Sequence, residues 1–240
     1  FGMNKMKIDK LNDTDDILWI LDDRWKPDYD NYCLRVGDQV GLIYGFVYDG
    51  LYSPDEFYFD PTQNFLAVPN EGTVINTIYQ DSNSGALPGK IKFKDLDGDG
   101  QITENDRTVI GNTTPKFQGG FGLSGQWKNF DFTANFNYMV DFDVYNATNY
   151  MLSSSISNTN NFYNVLADFT QKNRWTYVRA DGECLYKNTN IDGSVNEYIT
   201  MNAGKSLWNP ADVEDKVTHS YFVEDGSFLR LQDVTIGYTL

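Results

Sequence analysis

The chain has 240 residues, enough for one large all-β domain or two smaller ones, and its 16 Tyr, 16 Phe and 5 Trp beside 20 Gly favour strands and tight turns over helices. A formal charge of −15 argues against nucleic acid, whose phosphates need clustered Lys and Arg, and against a polybasic membrane patch. No apolar run reaches the roughly 18 residues of a transmembrane helix, which leaves a transmembrane barrel open; one histidine, His219, and two distant cysteines, Cys33 and Cys184, remove most nucleophilic and zinc schemes.

The first residues carry charges but no hydrophobic stretch of the kind a signal peptide needs, so the chain reads as a piece of something longer. Asp13 to Asp23 frames a short apolar stretch with acids and predicts a strand or a short helix. From Val36 the pattern sharpens: Val40, Leu42, Tyr44, Phe46 and Tyr48 share one parity, the signature of a strand with an apolar face. Tyr52 to Glu71, with Pro54, Pro61 and Pro69, is expected to be a loop.

The segment from Lys90 to Lys94 alternates like a strand and leads into Asp95-Leu-Asp-Gly-Asp-Gly-Gln-Ile-Thr-Glu-Asn-Asp106. These residues put carboxylates at the first, third, fifth and twelfth positions around Gly100, which permits a sharp turn. That is calcium-loop spacing: a hard dication takes about six to eight oxygens, here from Asp95, Asp97, Asp99, the carbonyl of Gln101, Thr103 through a water, and Asp106. An EF-hand would place a bidentate Glu last and long helices on both sides, so the loop is EF-like and the module is not. The competing reading is an acidic surface turn that binds nothing, in which the aspartates repel one another without a cation.

Next comes the clearest pattern in the chain. Phe117, Gly119, Phe121, Leu123, Gly125 and Trp127 share one face, small and polar residues the other; Lys128-Asn129 reverses the chain, and Phe130, Phe132, Ala134, Phe136, Tyr138 and Val140 continue the apolar face. This predicts a β-hairpin with a two-residue turn and arms of about ten residues, the length a tilted strand needs to cross a bilayer's hydrocarbon core. A soluble sandwich alternates too, with its aromatic face packed inward. Arm length, aromatic density and a tight turn opposite very long loops favour the barrel. Asp141 to Pro210 is long, polar and rich in Asn and Ser, with a short helix or rim strand expected over Phe162 to Phe169. Between Leu231 and Val234 the parity of the last strand slips, which predicts a β-bulge near Gln232-Asp233.

Several segments together resemble the SusC/RagA-like TonB-dependent outer-membrane transporters: Val36 to Gly50, Pro88 to Gly111 with its aspartate loop, Pro115 to Leu123 with Trp127 to Phe132, and Val223 to Leu240. Their order and spacing agree with the C-terminal barrel region of that family. The resemblance implies an all-β segment of a large antiparallel transmembrane barrel, about 22 strands when complete, with the plug domain and the last strands lying outside residues 1 to 240. It further implies import of an oligosaccharide or peptide across the bacterial outer membrane, in complex with a SusD-like surface lipoprotein and energised through TonB. Lipid would surround the wall, and a divalent ion, Ca2+, would be held in an extracellular loop by Asp95, Asp97, Asp99, Gln101 and Asp106. No residue in that scheme makes or breaks bonds, so no enzyme is expected. The alternative is a secreted calcium-stabilised β-sandwich that binds glycans; a glycosidase using a carboxylate pair is a third reading. Tyr44, Tyr48, Tyr52, Tyr150, Tyr163 and Trp208 are conceivable ligand contacts, each read first as a packing residue.

Overall fold

The computed structural model describes residues 2–3, 5–12, 17–20, 31–60, 66–78, 86–154, 164–176, 202, 204–210 and 217–240. In chain order the strands are β1 (Gly2–Met3), β2 (Ile17–Ile20), β3 (Tyr32–Arg35), β4 (Leu42–Phe46), β5 (Tyr48–Leu51), β6 (Phe57–Asp60), β7 (Leu66–Pro69), β8 (Ile75–Asn76), β9 (Ile91–Phe93), β10 (Gln101–Ile102), β11 (Arg107–Asn112), β12 (Phe117–Trp127) and β13 (Phe130–Val140). Then follow β14 (Asp143–Tyr145), the helix α1 (Ala147–Leu152), β15 (Val223–Asp225) and β16 (Phe228–Tyr238). The chain divides into two compact units, residues 1–45, 109–146 and 218–240 in one and 46–108 with 147–217 in the other.

The first unit is dominated by the four-stranded sheet β1-β12-β13-β16, antiparallel throughout and not closed on itself. β12 and β13 are 11 residues each and pair without a slip from Phe117 opposite Val140 to Trp127 opposite Phe130. Lys128 takes the positive φ, +54°, that a two-residue reversal demands at its first position. β16 pairs with β13 in one continuous run, broken only by an extra residue: Asn135 faces Asp233 and Phe136 faces Leu231, so Gln232 is the bulge. Without that bulge one half of β16 would turn its apolar residues to the polar face. A second sheet, β11-β4-β3-β2, and the β14-β15 pair complete the unit, with Cys33, Ile43, His219 and Phe222 among its buried side chains.

The second unit is built of short pairs, β5-β9, β6-β7 and the parallel β8-β10. Tyr52, Phe57 and Ala86 form its core cluster with Ala67 against them, and Phe46 stacks on Phe93 at a 5.1 Å ring separation. Asn202 accepts from the Thr176 N–H at 2.9 Å and donates to its carbonyl at 3.1 Å, satisfying a buried backbone position. Among the described residues no helix is long and apolar enough to cross a membrane.

Three expectations change. The strand expected from Val40 through Tyr48 is two, interrupted at Val47, whose carbonyl accepts from Lys94 instead. The expected loop from Tyr52 to Glu71 contains the β6-β7 hairpin; Pro54 starts a 3-10 turn and Pro69 ends an outer strand, positions where a missing N–H costs little. The helix lies over Ala147–Leu152. Of the expected Phe162 to Phe169 segment, residues 162 and 163 fall outside the described residues, and the remainder is non-helical, closed by a bond from Phe169 N–H to the Leu166 carbonyl; a single apolar turn does not offset the cost of helix nucleation.

Candidate membrane-facing sheet and cation loop

Residues directly opposite in an antiparallel pair lie on the same face. The register therefore joins Trp127, Phe130 and Tyr238 in one row, Phe132 and Ile236 in the next, Leu123, Ala134 and Val234 in the middle, and Phe121, Phe136 and Leu231 beyond. These form one apolar face across three strands. Among the described residues most of its large side chains are exposed, Trp127 at 69%, Ile236 at 71% and Leu123 at 55%, while the small Ala134 is buried between its neighbours. Phe121 stacks on Phe136 at 4.9 Å within the face itself. A sandwich buries such residues under a second sheet, and an apolar face left open to water on this scale would drive association.

The other face carries Gln118, Ser124, Gln126, Asp131, Thr133 and Asn135, with Thr235, Asp233 and Arg230 on the third strand. Asn135 donates to the Asp233 carboxylate at 3.0 and 3.2 Å, a cross-strand polar pair. An 11-residue strand extends about 36 Å and, tilted by roughly 45°, rises about 25 Å, the height of the apolar band on a transmembrane barrel.

The aspartate loop lies in the second unit. Its turn is set by Gly98 and Gly100, whose φ values of +78° and +84° suit residues without a Cβ. Asp95 accepts from both glycine N–H groups, at 2.6 and 2.8 Å; Asp97 accepts from Asp99 N–H at 3.2 Å and Asp99 from Gln101 N–H at 2.7 Å. These bonds bring Asp95, Asp97 and Asp99 together with a carboxylate oxygen of each within 4.8 Å of the others. Oxygens on opposite sides of a Ca2+ held at 2.3–2.6 Å lie at most about 5 Å apart, so the cluster fits a hard dication.

The Gly100 N–H holds Asp95 below the usual carboxylate range, with partial burial working against it. At Asp97 the Asp99 N–H bond lowers the pKa, yet desolvation and repulsion from Asp99, Asp106 and Asp95 outweigh it and leave the group raised. β10 spends the carbonyls of Gly100 and Ile102 on Ile75 and Thr77 N–H; by strand alternation the Gln101 carbonyl points to the opposite side. Thr103 caps the following 3-10 turn, its hydroxyl accepting from Asn105 N–H.

Asp106 neighbours the cluster but is not one of its three mutually close carboxylates. It is fully buried; one oxygen accepts from Leu96 N–H at 2.7 Å and from Asp97 N–H at 3.4 Å, the other from Thr103 N–H at 2.8 Å. The Thr103-x-x-Asp106 spacing of a capping box was present in the sequence and points to this role. Of the aromatic residues considered as ligand contacts, Tyr52, Tyr150 and Trp208 are buried, the first donating to the Val74 carbonyl and the last to that of Ser153. Tyr163 lies outside the described residues.

No family model matches the chain. Two TonB-dependent receptors of Formosa agariphila are similar to it: receptor P3 is 32% identical across 100% of the chain, and receptor P39 is 25% identical across 87%. The chain spans 19% of the length of each. Among solved structures, the RagAB peptide importer in its closed-closed state shares the fold over 98% of the chain and 20% of its own, with a TM-score of 0.56 at 17% identity. Its open-open state gives 0.53, also over 98% of the chain and at 17% identity. Likeness in sequence along the whole chain shows that it belongs to the TonB-dependent receptors, and the fold it shares with the RagAB importer agrees with that membership.

Proposed function

We propose that this segment forms part of the wall and outer loops of a transmembrane β-barrel that imports a nutrient, an oligosaccharide or a peptide, across the bacterial outer membrane. The observation that carries the reading is the in-register apolar face of β12, β13 and β16, open on one side and backed by a polar face on the other. Lipid solvates the rings; water in the lumen solvates the amides. In the complete protein, loops from such a wall meet a SusD-like lipoprotein at the surface, and TonB supplies the energy through regions beyond this segment.

The aspartate loop holds Ca2+ through Asp95, Asp97, Asp99 and the Gln101 carbonyl, and the cation braces the loop by removing the repulsion among the three carboxylates. What supports this is the approach of the carboxylates to ion-sized separation. Glycan binding by a soluble sandwich is the weaker reading, because it needs the rings of β12 and β13 covered.

Two experiments test the proposal. In cells, uptake of labelled oligosaccharides and of labelled peptides is compared with and without the receptor; loss of one class is expected, and unchanged uptake of both overturns the import reading. In the purified receptor, limited proteolysis of the loop is followed with Ca2+ and with a chelator. Faster cleavage between Lys90 and Gly111 on chelation, reproduced by Asp97→Ala in the presence of Ca2+, is expected; equal cleavage in all three removes the cation.

A further inference from the structure

We propose that Asp106 is a positioning residue, a buried clasp that joins the two ends of the aspartate loop and presents Asp95, Asp97 and Asp99, and that it does not act as the bidentate twelfth-position ligand.

The loop runs from Asp95 to Asp106, and a flexible loop of that length pays an entropic cost to bring its ends together. One carboxylate meets that need here. Oδ1 of Asp106 accepts from Leu96 and Asp97 N–H, at the second and third loop positions, while Oδ2 accepts from Thr103 N–H at the ninth. The Asp106 N–H in turn donates to the Thr103 carbonyl at 3.2 Å, closing a reciprocal box around the 3-10 turn Glu104–Asp106. A carboxylate offers about four lone-pair sites. Leu96 and Thr103 N–H each engage one oxygen at ordinary hydrogen-bond distance, and Asp97 N–H leans on Oδ1 at 3.4 Å. Bidentate coordination by Asp106 would have to compete with all three backbone donors.

Exposure separates the roles in the same way. Asp97 and Asp99 are exposed and Asp95 partly so, as suits groups that meet a cation arriving from solvent. Asp106 is fully buried, where a carboxyl group needs hydrogen bonds in place of its water. Those bonds come from backbone that a cation does not supply. The clasp therefore forms without a metal, and its bonds do not depend on the cation of the proposed function.

Hydrogen exchange of the loop peptide spanning 95 to 106 is measured by mass spectrometry in the intact receptor, with Ca2+ and with chelator, for wild type, Asp97→Asn, Asp106→Asn and Asp106→Glu. The clasp predicts that Asp106→Asn speeds exchange of the Leu96 and Thr103 amides by tenfold or more in chelator, whereas Asp97→Asn leaves the chelator state as in wild type. Asp106→Glu adds a methylene at a closed site and should loosen the loop likewise. If Asp106→Glu keeps the chelator state at wild-type protection and strengthens the response to Ca2+, the twelfth position is a ligand and the clasp is wrong. Wild-type exchange of Asp106→Asn in chelator overturns it too. A wild type indifferent to Ca2+ removes the cation of the proposed function and leaves the comparison in chelator decisive for the clasp.

Discussion

Val234 and Thr235 are neighbours on β16 at the same depth of the long sheet, and they point to opposite faces. Val234 lies opposite Ala134, in the middle row that also holds Leu123, and Thr235 lies opposite Thr133. Replacing each with arginine asks what solvates each face. If the apolar face meets lipid, arginine at the midplane costs about 2–4 kcal/mol, while arginine facing a water-filled lumen costs near zero. The difference corresponds to about 30- to 700-fold in the folding equilibrium, at roughly 1.4 kcal/mol per decade.

If both faces met water, the answer would differ. Val234 is 48% exposed within the segment, and substitutions at exposed positions without special contacts fall within about 0.5 kcal/mol. The assay is a urea folding titration of the complete receptor in phospholipid vesicles, read by gel mobility of the folded barrel. The expected result is a shifted midpoint for Val234→Arg and a near-native one for Thr235→Arg. Equal midpoints, or a larger loss from Thr235→Arg, would refute the assignment of faces.

Burial of His219 lowers its pKa from 6.5 to about 3, so the unfolded chain takes up a proton first as pH falls. Its contribution is intact above pH 6.5 and is lost below it at up to about 1.4 kcal/mol per pH unit. Urea unfolding between pH 6.5 and 5, above the range of most carboxylates, should show this slope in wild type and a flatter one in His219→Phe; the same slope in both would place the titration elsewhere. Gly89 combines a φ of +85° with an ideal Cβ position 2.3 Å from Cδ2 of Trp175. Gly89→Ala should therefore cost about 2 kcal/mol or more, from backbone strain and overpacking together, read as faster proteolysis across residues 164–176 and altered tryptophan emission; a neutral result would mean that the ring does not pack on that backbone.

Much of the wall was legible because its information is local. Alternation of period two states which residues share a face, a two-residue break states where the chain reverses, and a slip in parity states where a bulge must sit; Trp127 opposite Phe130 and a bulge near Gln232-Asp233 follow from these alone, and the register fixes the extra residue as Gln232. The aspartate spacing announced the cluster in the same manner. The β6-β7 hairpin was hidden by its prolines, which signal a loop unless one knows that they stand at a turn start and on an outer strand.

By itself, then, the chain determined its long strands, their faces and the family they belong to, because periodicity and motif spacing are carried by neighbours in sequence. Only the tertiary structure decided that most of the aromatic face stays exposed among the described residues, that Tyr52 and Trp208 pack inward, and that the last aspartate of the loop is spent on the Leu96 and Thr103 backbone. The reason is that a side chain's type and parity specify what it is able to do, while burial and the competition for hydrogen-bond partners depend on chain brought in from elsewhere.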